Sequence, residues 1–280
     1  MKLRPLVVHV DAGWNSEIAV KNIEHLVKAL DLDLYTYVVD WEEMKDLQLA
    51  FLKASVANQD IPQDHAFFAK LYDYASKNKI KYIINGSNLS SESILPQSWG
   101  YDASDLSHIL GIHKKFGQLK LKSYPMMGFF KQKFYWPYFK KMKVIRPLNY
   151  INYDKNKAID FLQENYGWRY YGGKHHESKW TKFFQAYYLP TKFGFDKRKA
   201  HLSSMIVSGQ ITRDEAISEL ESPLYNQSEL VQDKRFIARK LGISEQMFEE
   251  LIDLENKDYT DYPNQVRLTN WFRAVKKFVR

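Results

Sequence analysis

The residues of this 280-residue chain best placed to do chemistry lie where short apolar runs end in small polar groups. Tyr82-Ile83-Ile84 stops at Asn85-Gly86-Ser87-Asn88, and Glu92 follows four residues on. An apolar run too short for a helix and rich in β-branched residues reads as a buried parallel strand. Ligands of open α/β sheets collect beyond the carboxyl ends of such strands. Gly86 would let backbone approach a ligand, and Ser87, Asn88 and Glu92 would supply polar contacts. Leu6-Val7-Val8-His9-Val10 similarly ends at Asp11, followed by Ala12-Gly13-Trp14-Asn15. The other reading of either stretch is an ordinary strand-to-helix turn capped by Ser or Asn.

A second concentration of ionisable groups follows: Gly172-Gly173-Lys174-His175-His176-Glu177, then Phe195-Asp196-Lys197-Arg198-Lys199-Ala200-His201. Adjacent histidines point apart on a helix or strand, which weakens a metal reading of His175 and His176. The Gly-Gly-Lys lacks the spacing and closing Lys-Ser/Thr of a Walker loop.

The elements that must position these groups alternate. A strand at 6–11 precedes a helix carrying Ile18, Val20, Ile23, Leu26, Val27 and Leu30 at helical spacing, with Ser16 or Asn15 as its cap. Leu34–Val39 reads as a strand, Trp41–Lys53 as a helix, and His65–Lys77 as a helix capped by Asp64. Strand Tyr82–Ile84 comes next, and Val144–Leu148 gives a further short strand. Such βαβα alternation predicts an α/β fold with a doubly wound parallel sheet, over 1–172, followed by a helical region at 173–280. Asp11 and Gly86 are expected at one edge of that sheet. Asp154 should cap a helix ended by Gly167; Thr212 with Glu215 forms a capping box, and Ser244 caps another helix. The aromatic cluster Phe134–Phe139 is expected to form a helix packed on a neighbour.

Composition narrows the classes. There is no cysteine, which removes disulfides, thiolate catalysis and cysteine-zinc sites. No apolar run is long enough to span a bilayer and the first residues do not read as a signal peptide, so a cytoplasmic protein is expected. The net charge of +8 is uneven: residues 1–112 carry −5, residues 113–202 carry +15, and residues 203–280 carry −2. A concentrated basic segment suggests a phosphate-rich or other polyanionic partner. A non-catalytic module that engages nucleic acid through this segment is the competing class, although no RNA-binding signature is present.

Read together and in order, VHVDAGWNSEIAVKNIEHL, DLYTYVVDWEEMKDLQLAFLKAS, IPQDHAF, YIINGSNLSSE, SWGYDASD, VIRPLNYI, GGKHHESKWTKFFQ and FGFDKRKAHLSSMIVSGQITRDEAI resemble N-acetyl sugar amidotransferases of surface-polysaccharide and O-antigen biosynthesis. These belong to the ATP pyrophosphatase (PP-loop) superfamily. The resemblance implies an adenine nucleotide alpha hydrolase-like fold and the cofactors ATP and Mg²⁺. It also implies conversion of an acetamido group on a sugar or nucleotide sugar to an acetamidino group, with ammonia from a glutaminase and ammonia-channel pair resembling HisH and HisF. It assigns Asp11, Gly86, Ser87 and Asn88 to the nucleotide and Glu92 to the metal. Lys174, Lys182, Lys197 and Arg198 become contacts for phosphate or sugar acid, and His175, Glu177 and His201 handle protons. Another ammonia-dependent ATP pyrophosphatase is the alternative. Members of the family carry a Ser-Gly-Gly-Lys-Asp-Ser loop ahead of the VHVD strand, and these 280 residues contain none. The reading is therefore of an N-terminally truncated domain, through a shortened or degenerate gene or a loop carried on a separate chain.

Overall fold

The computed structural model describes residues 3–99, 102–173 and 176–278. The chain is mixed α/β and mostly helical. Strand β1 (Leu6–Asp11) leads through helix α1 (Glu17–Ala29) to β2 (Asp33–Val38), and the two strands pair in parallel from Leu6 opposite Asp33 to Asp11 opposite Val38. Helices α2 (Trp41–Ala54) and α3 (Ile61–Lys77) follow, then β3 (Tyr82–Ile84), the single-turn α4 (Leu89–Glu92) and α5 (Leu106–Phe116). A π-helix (Lys131–Phe139) precedes β4 (Lys143–Ile145), which pairs in parallel with β3. Helix α6 (Lys155–Tyr166) leads into the last third: α7 (Lys179–Phe183) running into a second π-helix (Phe184–Phe193), α8 (Lys197–Val207), α9 (Arg213–Glu221), α10 (Gln227–Leu241), α11 (Glu245–Ile252) and α12 (Val266–Phe278).

The expected parallel direction holds for both strand pairs. The doubly wound sheet is not formed. Among the described residues there are two separate two-stranded sheets, β1-β2 and β3-β4, with no ladder between them. Alternation dictates parallel pairing of neighbours; it does not supply a central strand to join two pairs. Helix α3 lies against both, with Ala66 in the cluster that holds Val39 and Val10, and Ala69 and Ala75 in the cluster that holds Ile83.

Local signals largely hold. Ser16, Asp154, Ser178, Ser244 and Asn88 each accept a backbone N–H at a helix start, and Thr212 with Glu215 closes a capping box. Helix α3 differs: it begins at Ile61, so Asp64 sits inside the first turn instead of capping it. Pro62 explains this, because a first-turn residue needs no intrahelical N–H bond.

Two buried carboxylates fix the long loop after α5. Glu43 accepts the backbone N–H groups of Lys122 (2.8 Å), Ser123 (3.0 Å) and Tyr124 (2.7 Å). One turn on, Asp46 accepts those of Gln118 and Leu119 and bonds His113 Nε2 at 3.0 Å. Ionised acceptors make these bonds stronger than neutral ones, so a segment without regular structure is tied to α2.

The largest core crosses position 172. Trp14, Leu52 and Ala57 pack with Trp180, Phe183, Tyr188, Ile237 and Phe248. The Trp14 ring stacks on Trp180 at 5.3 Å, and its indole N–H donates to Gln48.

Candidate functional site

The turn after β1 is held by segment 177–179. Ser16 N–H donates to the Glu177 carbonyl at 2.8 Å, Lys179 N–H donates to the Trp14 carbonyl at 3.1 Å, and Asn15 bridges Ser178. Gly13 sits at φ +86° with Trp41 against it: a Cβ there would lie 2.9 Å from the indole ring. Both facts require glycine. The Asp11 carboxylate accepts from Gly13 N–H at 2.7 Å and from the Asn15 amide, closing this turn.

One cavity opens beside it, and a second adjoins the first. One, about 270 Å³, is lined by Ala12, Trp14, Asn15, Asp60, Asp64, Glu177, Thr181 and Gln185. The other, about 300 Å³, is lined by Lys155, Tyr170, Gly172, Gly173, His176, Lys182, Asp196, Lys197, Arg198 and His201, and again by Gln185. Gln185 sits in the second π-helix, one residue beyond its start, and forms a wall common to both. π-Helical turns are rare and recur at functional sites.

The acid side of this pair is Asp60. Its burial, with the Asp64 carboxylate one turn on, pushes its carboxyl well above the usual carboxylate range, against the hydrogen bonds of Gln63 (2.6 Å) and Thr181 (3.3 Å) and the Lys197 charge.

The basic side is built by α8 and the segment before α7. His201 Nδ1 donates to the Ser91 carbonyl at 2.7 Å, which leaves Nε2 as the acceptor facing Lys155 Nζ at 3.4 Å. Ser91 lies in α4, which rests on α8 through two more bonds, Ile94 N–H to Ser204 Oγ and Ser208 Oγ to the Ser90 carbonyl. The turn expected to hold nucleotide is thus connected to the basic cavity through His201. At Gly173 an added Cβ would come within 2.5 Å of the His176 ring, so the backbone lies directly on that imidazole.

Of the residues singled out in the sequence, Lys182, Lys197, Arg198 and His201 meet at the basic cavity, and Glu177 lines the neighbouring one. Lys174 and His175 lie outside the described residues. Arg198 is committed to the protein: its guanidinium pairs with Asp196 and donates to the carbonyls of Glu219, Ser222 and Leu220. Lys182 pairs with Glu229 and lies 3.8 Å from Asp233. Charge at 197–201 was legible in the sequence; its consumption by chain more than twenty residues away was not.

Asp11 and the Gly86 turn do not share a sheet edge as expected, because they belong to different sheets. The Gly86 turn follows the capped-turn reading in its details: Ser87 N–H bonds Asn85, Asn88 caps Ser91, Leu89 N–H bonds Asn149, and Ser87 Oγ accepts from Arg146. Glu92 ends α4 and lies within electrostatic reach of Tyr153. Asp60, Lys155 and Gln185 were not singled out in the sequence. Asp60 had one faint signal, its place beside the IPQDHAF motif.

The two adjoining cavities bring cations, two imidazoles and a buried carboxyl of raised pKa into one neighbourhood. Residues 177–276, which include Glu177, α7 to α11 and most of α12, match the family model described as LPS biosynthesis protein WbpG-like, C-terminal domain. That match supports a WbpG-type surface-polysaccharide protein with a role in lipopolysaccharide biosynthesis. No curated protein matches the chain. No helix among the described residues is long and apolar enough to cross a membrane.

Proposed function

We propose that this protein is an enzyme supplying the sugar-acceptor site of an ATP-dependent N-acetyl sugar amidotransferase. The net reaction exchanges the acetamido oxygen for ammonia nitrogen, giving an acetamidino group; ATP takes up that oxygen as AMP and releases pyrophosphate. The observation that carries the reading is convergence: Gly172-Gly173, His176, Lys155 and the α8 residues Lys197, Arg198 and His201 surround one basic cavity, which shares Gln185 with the cavity beside the turn after β1. Lys197 and Lys155 would attract the phosphates of a nucleotide sugar, His201 would move a proton through Nε2, and Asp60 would hold one behind Gln185.

The described residues do not cradle ATP and Mg²⁺ unaided. The N–H groups of Ser87, Leu89 and Ser91 are turned inward, and among the described residues no group of three metal-ligating side chains converges. The phosphate donors would come from a further strand. The unpaired side of β1 offers a place for it: a slot of about 400 Å³ lined by Val8, His9 and Val10, by α1 residues Ile23 and Leu26, and by Phe67, Phe68 and Leu71 of α3. A strand entering there, on this or a separate chain, would bring a Ser-Gly-Gly-Lys-Asp-Ser loop to the turn after β1. Nucleotide, metal and the glutaminase pair would then assemble around it.

The test supplies that strand and loop to the protein, then measures pyrophosphate release with ATP, Mg²⁺, ammonium and a nucleotide-linked N-acetyl sugar. Release should require both sugar and ammonia and fall at least ~100-fold in His201→Gln. Absence of sugar-dependent pyrophosphate in the completed protein overturns the assignment; sugar-independent ammonia chemistry on another acceptor favours the sister pyrophosphatases.

A further inference from the structure

Two stretches of this chain carry no acidic residue. Residues 106–153 hold ten Lys/Arg and no Asp/Glu, and residues 262–280 hold five and none. The fold brings them together at one place: Phe272 of α12 packs edge-on against Phe134 at 5.0 Å and Phe129 at 5.8 Å beside the first π-helix.

What surrounds this contact is unusual for a basic surface. Phe130 and Tyr138 flank Phe134 in one column at 5.6 and 6.5 Å, yet they remain 62% and 58% exposed, and Phe139 is 71% exposed. In α12 the residues Leu268, Trp271, Phe272 and Val275 keep the i, i+3, i+4, i+7 spacing of an apolar stripe. Only Phe272 is covered by the π-helix; Trp271 is 60% exposed and Leu268 43%. The opposite side of α12, with Thr269, Asn270 and Arg273, faces a cavity against the body of the protein. The helix is thus held to the protein by Phe272 and Thr269, while most of its apolar stripe stays in solvent.

We propose that the first π-helix and α12 together form a face that lies on an anionic membrane surface. Trp271, Phe139, Tyr138 and Phe130 enter the headgroup boundary, and the lysines around them meet the anionic headgroups. A basic, largely polar helix that gathers Trp, Phe and Leu on one side has the pattern of an interfacial helix. Charge complementarity is one-sided over both stretches, and long lysine side chains reach past the aromatic layer to the phosphates. Single-stranded nucleic acid fits less well: the aliphatic part of the stripe, Leu268 and Val275, offers no face on which a base could stack. Surface binding needs no membrane-spanning helix.

The experiment is flotation of the full chain with vesicles of phosphatidylcholine containing about 30% phosphatidylglycerol, beside vesicles of phosphatidylcholine alone, at ~50 mM salt. The protein should float with the anionic vesicles and stay behind with the neutral ones. Each lysine near such a surface contributes on the order of fivefold in affinity, so reversing Lys133, Lys140 and Lys141 to Glu should cost about 100-fold or more. The pair Trp271→Ala and Phe139→Ala removes exposed side chains only and should weaken binding with an unchanged circular dichroism spectrum. In the unaltered chain, brominated lipid should quench tryptophan emission, a readout that needs no variant. The proposal is overturned by failure to float on anionic vesicles, by vesicle binding indifferent to the Trp271 and Phe139 changes, or by tighter binding to single-stranded RNA than to the vesicles.

Discussion

The turns after β1 and β3 look alike in sequence, each an apolar strand ending in glycine, asparagine and serine, and they have opposite fates in the fold. The first is enclosed. Its Trp14 is buried in the largest core, its backbone is hydrogen-bonded to 177–179, and it borders the cavity that holds Asp60. The second is open: a Cβ at Gly86 would meet nothing within 4 Å, and its polar side chains are spent on capping and turn closure. Position at a strand end makes a turn available for chemistry; a second layer of chain packed over it makes a site.

The contrast predicts a graded series. Trp14→Ala removes a buried aromatic and orphans Gln48, so urea unfolding followed by circular dichroism should show a loss of about 3–5 kcal/mol. Gly13→Ala should lose about 2 kcal/mol through its left-handed φ and the collision with Trp41. If it were neutral, the first turn would be looser than its packing implies.

Asp60 sharpens the same comparison through pH. Its folded-state pKa is raised above the ordinary value, so its contribution to stability is full below the unfolded pKa and is lost as pH climbs through the folded one. Asp60→Asn should therefore flatten the fall in stability between the unfolded and folded pKa values, and above that window leave the variant more stable than the parent, by less than either loss above. Melting temperatures measured across pH 4 to 8, a span chosen as roughly that of carboxyl titration in buried sites, test this. A variant less stable throughout would mean that the carboxyl is ionised and held by Lys197.

On the open turn, Asn88→Ala should cost about 1 kcal/mol, the value of an N-cap. Gly86→Ala should fall within about 0.5 kcal/mol of zero, since φ there is not left-handed and the space is free. A large loss at Gly86 in sugar-dependent activity, with stability unchanged, would restore that turn to the active site.

What the sequence made legible was local. Caps at Ser16, Asp154, Thr212 and Ser244 and the C-terminal Gly167 are decided within a few residues, and they appear where pattern places them. The cradle that Glu43 and Asp46 make for 118–124 was hidden, because the donors are backbone groups some seventy to eighty positions away and backbone carries no sequence signature. The aromatic run Phe134–Phe139 was legible as a helix, but the π geometry of both segments was not, since Pro137 and Pro190 argue against any regular helix by ordinary rules. The basic cavity was visible as composition, but composition cannot separate Arg198, which holds α9, from Lys197 beside it.

The stretch that matches the WbpG-like model begins at 177, yet Trp14, Leu52 and Ala57 complete its interior. Cut out as a recombinant fragment, that stretch would carry an empty socket where an indole should sit and would expose Trp180 to water. Its folding unit is accordingly larger than its recognisable signature: a fusion that moved the second part without a matching first part would deliver a protein short of its own interior.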